Sequence, residues 1–213
     1  MAIDSISEPG VAAATRIIAG DDRTQYDRVA MTLHWLTAAL VLAQFALSQT
    51  WEFFERPGRH LLIVTHMSFG ILLTLVVVGR IAWRLVPGHQ VPAAAAGWRE
   101  RAAKAMHYLL YALLVAEAVL GYVLRWSGDE AMSFFGLLIP PPFAPFSRSA
   151  HHLVGEAHEF IGWAIVVLAA AHAAAALYHH FILRDGLLWR MLPGGPRPGA
   201  AFQPASSGQP LQR

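Results

Sequence analysis

The sequence predicts an all-α membrane protein, an integral four-helix bundle with both termini cytoplasmic. Three observations predict it. Of 213 residues, 55% are hydrophobic and 14% charged, with a mean hydropathy of +0.42, whereas a soluble domain carries about 25% charge. Four apolar stretches each reach the roughly 20 residues a membrane helix needs. Several of the 11 histidines lie inside those stretches, where an ionisable group is costly and marks function.

The spans are read at Met31–Thr50, Leu61–Leu85, Ala105–Leu124 and Leu153–Phe181. His34 and Gln44 interrupt the first, His66 and Arg80 the second, and His107 and Glu117 the third. The fourth is nearly pure aliphatic from Ile161 to Leu177 apart from His172. Residues 26–193 therefore form the membrane domain, with mobile, polar or Gly/Pro/Ser-rich tails at 1–25 and 194–213. The start of the chain does not read as a secretory signal, because no Lys or Arg precedes Arg16 and the apolar run Val11–Ala14 is too short. Twelve Lys and Arg fall on the side of the tails and second loop, among them Arg28, Arg84, Arg101, Lys104 and Arg190, against four on the other side. That bias puts the termini inside. Loops one and three then face outward, with Trp51, Trp126, Phe134 and Phe135 as interfacial aromatics.

The chain has no cysteine. Disulfide scaffolds, thiolate zinc sites, iron–sulfur clusters and covalent c-type haem are all excluded, so redox chemistry must rest on histidine. No basic stripe with interleaved aromatics suggests nucleic acid.

In the fourth span His158 and His172 are 14 residues apart, so at 100° and 1.5 Å per residue both rings leave nearly one face, about 21 Å apart along the axis. His66 matches the depth of His158 near the outer side, and His34 matches His172 near the inner side. Facing neutral imidazoles from two helices suit six-coordinate haem iron. The pairs His66/His158 and His34/His172 are therefore expected to ligate two b haems as an electron conduit. Gly70, Gly155, Gly162 and the alanines around His172 are expected to clear space beside the ligands.

The segments that carry these histidines resemble one family. They are YDRVAMTLHW at Tyr26–Trp35, THMSFGI around His66, AHEFIG around His158, and HAAAALYHHF at His172–Phe181 with Arg184, Asp185 and RMLP beyond it. Together they resemble the bacterial cytochrome b561 family, the di-haem membrane cytochromes b that include superoxide oxidase. The resemblance implies that the four histidines are the haem-iron ligands. It also implies that superoxide is oxidised to dioxygen at the outer face of a bacterial inner membrane, that ubiquinone is reduced near the inner haem, and that His179 lies beside the quinone. Glu117, at mid-depth in the third span, departs from the expected apolar residue.

Alternatives stand beside these readings. The chain could instead be a haem b anchor subunit fed by a partner dehydrogenase or hydrogenase, or a non-redox protein whose histidines bind a transition metal. His107 suits a propionate or lipid contact better than ligation, and His60, His89, His151, His152 and His180 read as interfacial. Met67 and Met106 read as packing rather than ligands. Glu117 either relays protons or hydrogen-bonds within the bundle while neutral. Arg56, Arg59, Arg125 and Arg148 either draw in superoxide or solvate the loops and pair with propionates. The third loop, FFGLLIPPPFAPF, either lies on the membrane and caps the outer haem or only covers the bundle end.

Overall fold

A computed structural model describes residues 25–88, 91 and 97–194. Its four long helices are α1 (Arg28–Thr50), α2 (Arg56–Leu85), α3 (Trp98–Ser127) and α4 (Arg148–Tyr178). At 1.5 Å per residue they run about 34–46 Å, more than the roughly 30 Å of bilayer hydrocarbon. All four are long and apolar enough to cross a membrane. The expected tails, and His89 with them, fall outside the described residues except for residues 25 and 194.

Each helix begins before the span read from hydropathy, because its first turns are polar. Asp27 caps α1 by accepting from the Ala30 amide at 2.9 Å, and Ser147 caps α4 by accepting from Ala150 at 3.3 Å. Pro57 sits in the first turn of α2, where its missing N–H costs nothing. In α3 the polar start is carried by Arg99, Glu100, Arg101 and Lys104, with Lys104 on Glu100 at 2.5 Å one turn away.

Helices α1 and α2 pack along each other, as do α3 and α4, while the two hairpins meet more loosely. The bundle therefore has a terminal end, where α1 and α3 start and α2 and α4 finish, and a loop end opposite. Val77, Leu114 and Ile165 form one core cluster from α2, α3 and α4. Met67, Ile71 and Met132 form a second toward the loop end. Asp27 also accepts from Trp83 Nε1 at 3.2 Å, tying the start of α1 to the end of α2.

The third loop is more ordered than a plain connection. It contains an antiparallel hairpin, β1 (Met132–Phe134) and β2 (Leu137–Ile139), with Met132 opposite Ile139. Its turn residues Phe135 and Gly136 both have positive φ, 48° and 94°, the backbone a two-residue hairpin turn requires. Ser68 of α2, 1% exposed, pins the hairpin. Its hydroxyl accepts from the Phe135 amide at 3.0 Å and shares its single hydrogen between Val64 O at 2.9 Å and Ser133 O at 3.2 Å.

At the terminal end α4 passes into a π-type turn (His179–Leu183) that stops at Arg184, φ 53°, and a short 3-10 turn follows (Leu187–Met191). Trp35 Nε1 donates to Met191 O at 2.8 Å and the Tyr26 amide to Arg190 O at 3.2 Å, which folds this segment against α1.

Candidate functional site

The candidate ligand positions follow from the helix bounds. His66 and His158 each lie 10 residues beyond the first residue of α2 and α4. His34 lies 6 residues beyond the start of α1, and His172 lies 6 before the end of α4. The parallel course of α2 and α4, and the antiparallel course of α1 and α4, convert those equal depths into proximity. The ring centres of His66 and His158 are 6.5 Å apart with planes at 84°, and those of His34 and His172 are 6.4 Å apart at 74°. Both pairs bridge the looser seam between the two helix hairpins.

Two imidazoles bound to opposite sides of one metal, each through a nitrogen about 2 Å away, have ring centres about 6.3 Å apart. Both pairs meet that spacing. The donor set also fits, since two neutral nitrogens in an apolar bundle leave the remaining iron positions to a porphyrin. Nδ1 of both His66 and His158 is buried without a hydrogen-bond partner among the described residues. No three His, Asp or Glu converge on a bare metal-ion site among those residues.

The surroundings of the two pairs differ. At the terminal end Arg80 Nη2 lies 2.8 Å from His34 Nδ1, and its guanidinium stands 5.1 Å over the Tyr111 ring. Arginine has only donors, so Nδ1 of His34 accepts here and the ring hydrogen sits on Nε2. Iron ligation through Nε2 needs the opposite tautomer and requires Arg80 to release Nδ1. The sequence marks Arg80 as an interruption of the second span and counts it among the inner-side charges, but assigns it no partner. Its signal was its position, 14 residues after His66, the same interval that puts His158 and His172 on one face.

His107 approaches His172 more closely than expected, with ring centres 5.2 Å apart at 70°. That is shorter than the ligand spacing above, so His107 flanks the pair rather than opposing His172 across a metal. Toward the loop end, Glu117 Oε1 lies 3.2 Å from His158 Nδ1, within ion-pair range but without hydrogen-bond alignment. A Trp51 edge meets His66, with ring centres 5.3 Å apart.

Two expectations about glycine need correcting. A Cβ on Gly70 would stand 3.0 Å from Gln44 Nε2, and one on Gly162 would stand 3.1 Å from Glu117 Oε1. These glycines admit polar side chains of neighbouring helices, so the clearance read from the sequence is already filled. Gly155 meets Leu124 at 3.5 Å, an ordinary packing contact.

His179 is outside both ring pairs, in the turn that ends α4. Its Nδ1 pairs closely with Asp185 Oδ2, while Asp185 Oδ1 accepts the Leu187 amide at 3.1 Å. Burial works to raise the Asp185 carboxyl, but the hydrogen bonds from His179 and the Leu187 amide outweigh it and hold the group below the usual aspartate range. His151 Nδ1 meets Ser127 Oγ at 2.8 Å, and His152 lies 3.5 Å from Glu156. Met67 packs on Ile71 and Met132. Among the loop-end arginines, Arg59 pairs with Glu52 at 2.6 Å and Arg125 with Glu130.

The chain is similar to proteins of one kind. A family profile described as prokaryotic cytochrome b561 matches residues 25–194. Two Escherichia coli K12 proteins, cytochrome b561 homolog 2 and homolog 1, are 33% and 32% identical to it over 79% of this chain, covering 91% and 97% of their own lengths. A Yersinia pestis protein named probable superoxide oxidase CybB is 24% identical over 79% of this chain and 96% of its own.

Proposed function

The chain belongs to the prokaryotic cytochrome b561 family, a multi-pass bacterial membrane haem protein of electron transfer, and from that premise we propose that it is a di-haem superoxide:ubiquinone oxidoreductase of the inner membrane. His66/His158 and His34/His172 would hold the irons of two b haems. The observation that carries this reading is the two ring pairs at ligand spacing, one near each end of the bundle. The name of the Yersinia pestis relative supports superoxide as the donor.

Two superoxide ions each give up one electron and leave as dioxygen, while one ubiquinone takes two electrons and two protons to become ubiquinol. Bound haem b supplies reversible one-electron carriage. The residues do the rest. The hairpin pinned by Ser68 covers the loop end beside His66 and limits water there. With Nδ1–H of His179 donated to Asp185, Nε2 of the neutral ring is an acceptor that suits a ubiquinol hydroxyl, and it donates to a quinone oxygen only when the ring carries both hydrogens. Arg28, Arg80, Arg84, Arg99, Arg101, Lys104, Arg184 and Arg190 gather at the terminal end, supporting a cytoplasmic placement of that end.

The test is a reduced-minus-oxidised visible spectrum of the purified chain with haem quantified per polypeptide, followed by superoxide in the presence of ubiquinone. Two low-spin b haems that reduce with superoxide and reoxidise with ubiquinone are expected, and His66→Ala or His172→Ala loses one of them. Two haems inert to superoxide would make the chain a partner-fed subunit. Loss of no haem in those variants would overturn the ligand assignment.

A further inference from the structure

Glu117 is a polar side chain inside the membrane domain that electron carriage through two histidine pairs does not by itself require. Its neighbours explain its place. Glu117 and Gly121 are one turn apart on α3, and His158 and Gly162 are one turn apart on α4. A Cβ on Gly162 would stand 3.1 Å from Glu117 Oε1, and a Cβ on Gly121 would stand 3.3 Å from His158 Cε1. Each helix thus offers a glycine to the other's polar group, and the carboxyl and the imidazole meet between them at 3.2 Å. His158 Nδ1 has no hydrogen-bond partner among the described residues, and the Glu117 carboxyl oxygen at 3.2 Å is an acceptor within a small rotation of it.

We propose that Glu117 is a positioning residue for His158, accepting its Nδ1–H and thereby setting the loop-end haem at a lower reduction potential than the haem at the terminal end. The inference rests on the ligand reading above. A ligating histidine whose other nitrogen donates to a carboxyl is fixed in one tautomer and is a stronger donor to the metal. Stronger donation favours the ferric state. With Nδ1 so engaged, Nε2 is left for iron.

The other pair has the opposite neighbour. Arg80 places a guanidinium 2.8 Å from His34 Nδ1, and a nearby cation disfavours ferric iron, raising that potential. An acceptor at one pair and a cation at the other make the step from loop end to terminal end downhill. That downhill step is then built into α2 and α3 as two side chains.

The test is a redox titration of the haem-loaded protein, with each midpoint assigned by the variants His66→Ala and His34→Ala. The loop-end centre is expected to have the lower midpoint. Glu117→Leu should raise it at least tenfold in ferrous-to-ferric ratio at fixed ambient potential, about 59 mV for one electron, with the terminal-end centre unmoved. Glu117→Gln, isosteric and a weaker acceptor, should give a smaller rise and altered low-spin EPR g values for that centre alone. If Glu117→Leu fails to fold, Glu117→Gln decides the matter. A loop-end midpoint and EPR signal unchanged in the folded variants, or a loop-end centre above its partner in the wild type, would overturn the inference while leaving the ligands intact. Haem content indifferent to His66→Ala and His158→Ala would instead sink the ligand reading beneath it.

Discussion

Replacing Arg80 with Met keeps the length and apolar stem of a half-buried side chain of α2 that meets α1 and α3 while removing its charge. The guanidinium touches His34, whose ring centre is 6.4 Å from that of His172. Released from Nδ1 on ligation but still anchored on α2, the charge stays about 8 Å from a point midway between the rings, and at an effective dielectric constant of about 20 a unit charge at that distance contributes about 2 kcal/mol. Through one electron, that is about 90 mV. The sign is fixed, because removing a cation stabilises ferric iron and lowers the midpoint. Potentiometric titration of Arg80→Met should therefore show the terminal-end haem falling by 50–100 mV, on the order of that estimate, with the loop-end haem nearly unmoved. Arg80→Lys keeps the charge and should stay close to wild type. Burial shields the site from counter-ions, so the shift should persist at high ionic strength. A change under about 20 mV, or equal movement of both haems, would refute the electrostatic argument.

Two further outcomes follow from contacts at opposite ends of the bundle. Ser68→Ala removes the acceptor for the Phe135 amide and the donor to Ser133 O, costing about 1–3 kcal/mol; hydrogen exchange across residues 132–139 should quicken about tenfold or more, and unchanged exchange would show that apolar packing alone holds the hairpin. Because the Asp185 carboxyl is held below its usual range, its contribution is present above the unfolded value of about 3.9 and is lost only as pH falls through the lower folded value. Exchange in residues 185–191 should thus be protected in the wild type at pH 5 and 7 and loosened by Asp185→Asn at both, and equal protection in the two proteins would remove this role for the carboxyl.

Much of this architecture could be read from the chain because membrane helices obey a simple solvent rule. A run such as Ile161–Leu177 has few alternatives to a spanning helix, since every backbone polar group must be satisfied internally. Depth along such a helix is a count of residues, and neighbours turn equal depths into contact, counted from both starts in the parallel α2 and α4 for His66 and His158, and from opposite ends in the antiparallel α1 and α4 for His34 and His172. Hydropathy was blind to the polar helix starts. Trp98–Lys104 continues α3 for two turns because a helix outside the hydrocarbon answers to capping and charge pairing rather than to apolarity. The hairpin at Met132–Ile139 was hidden for a different reason. Its turn puts Phe135 at positive φ, a place where glycine or asparagine would have advertised it. The position is held from outside by Ser68, 67 residues earlier in the chain.

The side chains that distinguish the two histidine pairs were legible as residues and illegible as partners. Glu117 stands out in any hydropathy plot, yet nothing in its own helix indicates His158, because the contact depends on glycines from α3 and α4 meeting in register. Arg80 is the converse case, hidden by its resemblance to an interfacial charge and revealed by its 14-residue interval from His66. That interval means α2 presents an imidazole to one pair and a guanidinium to the other from nearly one face, as α4 presents an imidazole to each. The bundle is close to symmetric in its ligands and asymmetric in what surrounds them. If the two pairs are ligand sets, identical surroundings would hold both centres at one potential, so the carboxyl beside His158 and the guanidinium beside His34 are what would separate them, while donor and acceptor set the net direction of flow.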